Sequence, residues 1–263
     1  MKSLRGVYII WYRDILRFWR DRIRIIGAVA FPLLFLVVFG VGLSGWVNLG
    51  GVNFIKFMFP GIIGMTVLMT SFNSGISIVW DREFGFLKEV LVAPISRATV
   101  AIGKTLGGAT IATIQGMLIL LLAPLVGISL SSILLLKLLP LIFLVACVLA
   151  AMGIFIASLI KSMEAFHVVM NMLMMPMVFL SGVFFPIGAL PSWMSILVKL
   201  NPATYAIDPI RKLFLGAMPP AEAAPFNLVV FGHVMSTIEE VMVIGTFGFL
   251  MIILAMWSFS SQE

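Results

Sequence analysis

An all-α polytopic membrane protein is the fold class this sequence predicts, on three observations. Of its 263 residues, 62% are hydrophobic and only 11% charged, whereas a soluble domain carries roughly 25% charged and about 45–50% apolar residues. Long stretches, among them Ile25 to Leu43, Phe57 to Trp80 and Leu138 to Ile160, contain no Asp, Glu, Lys or Arg, and about 20 such residues of helix cross a bilayer core ~30 Å thick. The cations gather between these stretches, where they set orientation. Helices are the spanning elements expected, because lipid leaves open backbone groups unsatisfied.

Residues 1–24 come first. Arg13, Arg17, Arg20 and Arg24 recur at spacings of 4, 3 and 4, while Tyr8, Trp11, Ile15, Phe18 and Trp19 fall on the opposite face. That pattern predicts a helix lying in the membrane interface. Arg22 intrudes on the apolar face, and a simple positive anchor is a compatible alternative. Six spans follow, at 25–43, 57–80, 103–126, 133–160, 165–185 and 239–259. The uncharged run Thr105 to Leu136 is too long for one crossing, and "GISLSS" at 127–132 supplies a turn in it. "FPIGALPSW" breaks the run Ala165 to Val198 in the same way.

Two segments stand apart from the spans. "VWDREFGFLKEVLVAPISR", residues 79–97, packs six charged side chains into an oily chain. Phe84, Leu87 and Leu91 form one helical stripe there. Asp81 and Glu83 stand where a helix dipole favours anions, and Pro94 with Arg97 marks the exit. A short amphipathic helix over 81–97 is expected; the alternative is a solvated loop, which Gly85 favours. The second segment, 186–216, is too broken by prolines to span and too apolar for a free loop. Short helices dipping into the outer leaflet fit it, since broken backbone at membrane depth must be buried in protein or line a cavity.

If the N-terminus is cytoplasmic, twelve of the 17 Lys and Arg lie inside, leaving Lys56, Lys137, Lys199, Arg211 and Lys212 outside. Both termini are therefore expected in the cytoplasm of an inner-membrane protein, and the net charge of +6 reflects topology rather than nucleic-acid binding. A segment of 24 residues rich in charged and aromatic side chains precedes the first apolar run, and no A-x-A-like site follows it, so a cleaved signal is not expected. Cys147, the single cysteine, allows no internal disulfide.

Several motifs match in letters and fail in physics. "GVGLSG" at 40–45 has the glycines of a dinucleotide loop, but the next acidic residue is Asp81, far beyond the ~20 positions required. "ATVAIGKT" at 98–105 lacks the first glycine and the preceding strand of a phosphate loop. His167 and His233 have no set of three or four ligands for zinc. No catalytic triad is visible, so an enzyme is not expected. Spans one, two and four carry no charge in their interiors, which argues against a proton or sodium relay. A secondary carrier or channel remains the alternative to a transporter driven from outside the chain.

The amphipathic N-terminal helix, six spans, "WDREFGFLKEVLVAPISR" after the second, and "LSGVFFPIGALPSW" leading to "LNPATYAIDPIR" before the sixth together resemble the ABC-2 type transporter permease family over essentially the whole chain. Drug-exporter and nodulation-exporter permeases are the nearest in character. The resemblance implies a half-transporter that pairs with a second copy and with separate ATPase subunits, which hold the ATP and Mg²⁺; this chain itself needs no cofactor. It implies that 81–97 is a coupling helix. Phe84, Leu87 and Leu91 would fill the ATPase groove, and Asp81, Arg82, Glu83, Lys88 and Glu89 would set register. Lys161 and Glu164 would make a second cytoplasmic contact, and the N-terminal helix with Trp11 and Trp19 a further one. Spans one, two and five would line the pathway, with Thr66, Thr70, Ser71, Phe72, Asn73, Ser74, Asn171 and Phe179 as candidates; ordinary helix packing is the alternative for each. An amphipathic drug, lipid-linked molecule or glycan is the implied cargo.

Overall fold

The computed structural model describes residues 2–42, 53–83, 96–216, 226–230 and 232–260. Helix α1 (Lys2–Arg20) stops one residue short of α2 (Arg22–Phe35), which runs on as a π-helix, Leu36–Val41. The sequence reading of one interfacial helix over 1–24 is corrected here: the chain turns at Asp21, and Leu4–Arg20 meets Ile25–Val41 at 69°. Helix α3 (Phe54–Phe72) passes through a 3-10 turn, Asn73–Gly75, into α4 (Ile76–Glu83). After the undescribed segment come α5 (Arg97–Leu120), α6 (Ser132–Leu159) and α7 (Met163–Phe179). Residues 186–216 form a 3-10 turn (Ile187–Ala189) and two short helices, α8 (Ser192–Leu200) and α9 (Pro202–Leu215). A two-stranded antiparallel hairpin, β1 (Val229–Val230) and β2 (His233–Val234), precedes α10 (Thr237–Ser260).

Among the described residues three helical stretches are long and apolar enough to cross a membrane: Phe54–Glu83, Ser132–Leu159 and Thr237–Ser258. The bent pair of α1 and α2 makes a fourth if taken as one span, and α7 is apolar but shorter. Helix α5 is long enough, but its Gly, Thr and Gln residues leave it less apolar.

Local sequence explains the boundaries. Asn53, Ser96, Ser131, Ser162 and Asn201 each accept a backbone N–H of the following helix, supplying five N-caps. Gly127 (φ 73°) and Gly182 (φ 80°) take left-handed turns, after the 3-10 turn Ala123–Val126 that follows α5 and shortly after α7, where other residues would be strained. That turn ends α7 at Phe179 rather than at the expected 185. The expected start of a new helix at residue 81 is also corrected: Asp81, Arg82 and Glu83 complete α4, and each is bonded to another element of the chain.

Helix α6 is the centre of the packing, with α3, α5 and α10 around it. It can be central because its middle is small: Val145, Ala146, Leu149, Ala150, Ala151, Gly153 and Ala157 are buried. At Gly153 the backbone of α6 touches that of the broken span directly. A Cβ there would collide with the carbonyl of Phe72, and one on Gly75 would lie 2.9 Å from the Ala157 methyl. Small residues drive such close approach because lipid offers no hydrophobic force between helices.

The contact makes a stability prediction. Gly153→Ala should lower the melting temperature of the purified protein, since overpacking against backbone costs about 1–3 kcal/mol. Gly245→Ala in α10, where nothing lies within 4 Å of the new methyl, should be neutral or raise it, by up to about 1 kcal/mol from helix propensity. Equal effects at the two sites would refute the close-contact account.

Candidate functional site: a polar groove and a charged end

Helix α2 makes little contact with the bundle, and a groove opens between it and the α3–α4 rod. Along the rod, Thr66, Thr70 and Asn73 stand a helical turn apart on one face, as the 3.6-residue repeat requires. They line, with Gly27, Ala28, Phe31, Pro32, Met69, Ile76 and Gln115, a cavity of ≈ 470 Å³. A second cavity of ≈ 320 Å³ shares Thr70, Asn73 and Ile76 and continues past Ser74, Ser77 and Trp80 to Asp14, Arg17, Asp21 and His167. The first is lined by hydroxyls, amides and apolar groups; charges appear only in the second.

The polar side chains of the groove are held, not loose. Thr70 Oγ1 donates to Gln115 Oε1 of α5. Thr66 Oγ1 returns to the Ile62 carbonyl at 2.8 Å, and Asn73 Nδ2 donates to the Met69 carbonyl at 2.9 Å, sealing the 3-10 turn.

At the charged end, Lys104 of α5 is only 3% exposed. Its ammonium lies 3.4 Å from Asp14 of α1, 3.5 Å from Asp81 of α4 and 2.8 Å from Ser77 Oγ. Arg13 adds a second cation, 3.4 Å from Asp81 and 3.7 Å from Asp14. Trp11 Nε1 donates to Thr110 Oγ1 at 3.0 Å. These contacts fasten α1 to α4 and α5, so the amphipathic helix is docked on protein along one side. Arg17, Trp19 and Arg20 face outward, with the Arg17 guanidinium 6.0 Å from the Trp80 ring. The Arg24 side chain lies outside the described residues.

The two residues after Asp81 cap other helices. Arg82 donates to the carbonyls of Ile160 (2.7 Å) and Ser158 (3.1 Å) at the end of α6. Glu83 accepts the backbone N–H of Met163 at 2.9 Å, at the start of α7. A cation on a helix C-terminus and an anion on a helix N-terminus both match the helix dipole. The sequence reading assigns Asp81, Arg82 and Glu83 to an ATPase contact; in the structure all three are also bonded within this chain, Asp81 buried, Arg82 half-buried and Glu83 exposed. Phe84, Leu87, Lys88, Glu89 and Leu91 lie outside the described residues. Lys161 and Glu164 are exposed beside the α6–α7 turn.

Of the pathway candidates, Thr66, Thr70, Asn73 and Ser74 line the groove. Ser71 and Phe72 are buried, Phe72 with its backbone against α6, and Asn171 and Phe179 lie on the exposed face of α7; none of these four lines either cavity. Gln115, Asp14 and Lys104 were missed as site residues. Two of them carried a signal: Gln115 is the single amide in the uncharged run 105–136, and Asp14 the single acid in the first 20 residues.

The opposite end holds a second buried ionic cluster. Lys212 lies 3.0 Å from Asp208 Oδ2, pairs with Glu240 of α10 and donates to the Met235 carbonyl at 2.7 Å. Arg211 is fully buried, donates to the Gly182 carbonyl and stacks 4.5 Å from the Phe57 ring centre. The topology count places Arg211 and Lys212 outside, within short helices; both lie in α9, Arg211 fully buried and Lys212 half-buried.

Residues 5–215 match the model of the ABC-2 type transporter family. Transport permease ycf38 of Cyanophora paradoxa is 30% identical over 220 residues, covering 80% of this chain and 74% of that one. Nodulation protein J of Rhizobium meliloti (strain 1021) is 27% identical over 212 residues, 79% of this chain and 80% of that protein. The inner membrane transport permease YadH of Escherichia coli (strain K12) is 26% identical over 211 residues, 79% and 82%. A match across the helices that build both the groove and the charged end, from α1 to α9, places the chain in the ABC-2 type transporter permease family.

Proposed function

We propose that the chain is the transmembrane half of an ATP-driven exporter, pairing with a second copy and with separate ATPase subunits that carry ATP and Mg²⁺. The observation that carries this reading is the groove along α3 and α4 in a chain of this family. Its ≈ 470 Å³ cavity has no ionisable side chain among its described lining residues, the charges lying in the adjoining cavity at the charged end, so it offers hydrogen bonds to cargo but no relay for a driving proton. Energy then enters from outside the chain. In this reading six segments cross an inner membrane with both termini in the cytoplasm; α5, α7 and the α1–α2 unit complete the set begun by the three long apolar helices.

Cargo would meet Thr66, Thr70, Asn73 and Gln115 with its polar part and Phe31, Met69 and Ile76 with its apolar part. An amphipathic drug, a lipid-linked molecule or a glycan with a hydrophobic anchor meets that description. Alternating access requires the ATPase to favour one of two arrangements of the paired permeases. The segment after Glu83 is the docking helix of this proposal, and Phe84, Leu87 and Leu91 are its apolar contacts.

Two outcomes are expected. Leu87→Asp should abolish copurification of the ATPase while leaving membrane insertion intact; Glu83 is left alone because it caps α7. An unchanged complex would remove the docking role. With Cys147→Ser eliminating the native thiol, Asn73→Cys should react with a water-soluble maleimide in nucleotide-free complexes. Trapping ATP should slow that reaction roughly tenfold if the groove closes, and equal rates in both states would count against alternating access here.

A further inference from the structure

We propose that Glu83, which holds the start of α7, and Arg82, which holds the end of α6 just before it, are positioning residues, so that α7, held at its other end by α9, carries displacement of the α4 terminus to the broken segment 186–216. The clamp at the charged end lies across the α6–α7 turn and is made to backbone: Glu83 accepts the Met163 N–H at the start of α7, and Arg82 donates to the Ser158 and Ile160 carbonyls at the end of α6. The opposite end is gripped in the same manner. Asn201 Nδ2 donates to the Met177 carbonyl at 2.8 Å, Thr204 Oγ1 to the Leu180 carbonyl at 3.2 Å, and Arg211 to the Gly182 carbonyl. Helix ends leave backbone groups open, and here both ends of one helix are closed by side chains from elsewhere in the chain.

Between its clamps α7 is lightly held. It makes few contacts with α3, α4 and α9, and Val168, Met172, Met175 and Phe179 are exposed on its outer face. Its buried stripe is Phe166, Met170, Met174 and Met177. Methionine is unbranched and adapts to shifted neighbours, so this seam tolerates sliding better than a β-branched one. A helix of 17 residues spans about 25 Å at 1.5 Å per residue. An element stiff along its axis, fixed at both ends and soft at its sides moves as a rod.

The transport reading supplies the purpose of this linkage, but the linkage itself lies within the chain. Its test is hydrogen exchange of the full chain in lipid nanodiscs, with no ATP and no ATPase. Arg82→Met with Glu83→Gln should speed exchange of the Met163 and Phe166 amides roughly tenfold, as expected for loss of charge-assisted hydrogen bonds. It should also raise exchange at Leu180 and Ser181, whose N–H groups close the far end of α7. Glu83→Gln alone, which keeps an acceptor oxygen, should give intermediate rates at both ends and serves where the pair loosens the whole bundle. Reciprocally, Asn201→Ser, which keeps the α9 cap and loses the bond to Met177, should speed exchange at Met163. Lys161→Gln, in the same turn but outside the clamp, should do neither. Changes confined to the mutated end in both directions overturn the proposal. That result would leave the exporter reading standing, and a missing ATPase partner would leave this linkage standing.

Discussion

A helix end leaves backbone N–H and C=O groups open, and in so apolar a chain few groups can close them; this constraint organises the structure. The spans break or end at several points, and at most of them a side chain from the same chain closes the backbone. Asn73 reaches the Met69 carbonyl at the 3-10 turn, Arg82 the end of α6, Glu83 the start of α7, Asn201 the end of α7, and Arg211 the turn at Gly182. Polar residues in an oily chain are therefore spent on backbone first. What is left over, the hydroxyls and amides of the groove, is small and uncharged.

The two buried ionic clusters follow one plan at opposite ends. Lys104 lies between Asp14 and Asp81, and Lys212 between Asp208 and Glu240. In each the two carboxylates come from different helices, so the lysine joins elements that share little sequence proximity. Burying ions is expensive, and a buried pair can be less stabilising than apolar packing. What such clusters supply is geometry: α1 against α4 and α5 at one end, α9 against α10 at the other. Removing Lys104 leaves Asp14 and Asp81 to the half-exposed Arg13 alone, and removing Lys212 leaves Asp208 to Arg211, 3.9 Å away, with Glu240 losing its ion-pair partner, so these contacts are hard to lose singly.

Much of this was legible in the sequence, and the division has a physical basis. Hydrophobic runs and Lys/Arg placement are local signals, so the membrane class and the positions of the long apolar helices could be read directly. N-caps at Asn53, Ser96, Ser131, Ser162 and Asn201 are local too. The role of Arg82 and Glu83 was not legible, because their partners lie 76 to 80 residues away. A charged pair after a span reads equally as a docking surface and as a cap. The break at Asn73–Gly75 was hidden for a similar reason: Gly75 matters only because Gly153 faces it. Groove lining required the 3.6-residue phase of α3 relative to α2, which separates Thr66, Thr70 and Asn73 from their neighbours Ser71 and Phe72.

Packing is uneven in a way that bears on transport. Helices α3, α5, α6 and α10 share the extensive contacts, whereas α2 and α7 touch this block sparsely. Local opening concentrates where buried contacts are few, so changes in shape fall on α2 and α7 before they reach the block. The groove is walled by α2 on one side, and at its charged end by Met163 and His167 of α7. These two sparsely anchored helices thus flank the polar face of α3 and α4, which the Phe72–Gly153 contact holds to α6. A site whose lining is fixed and whose walls can shift is able to keep its hydrogen-bonding chemistry while its access changes, which is the mechanical requirement of a carrier that opens to one side at a time.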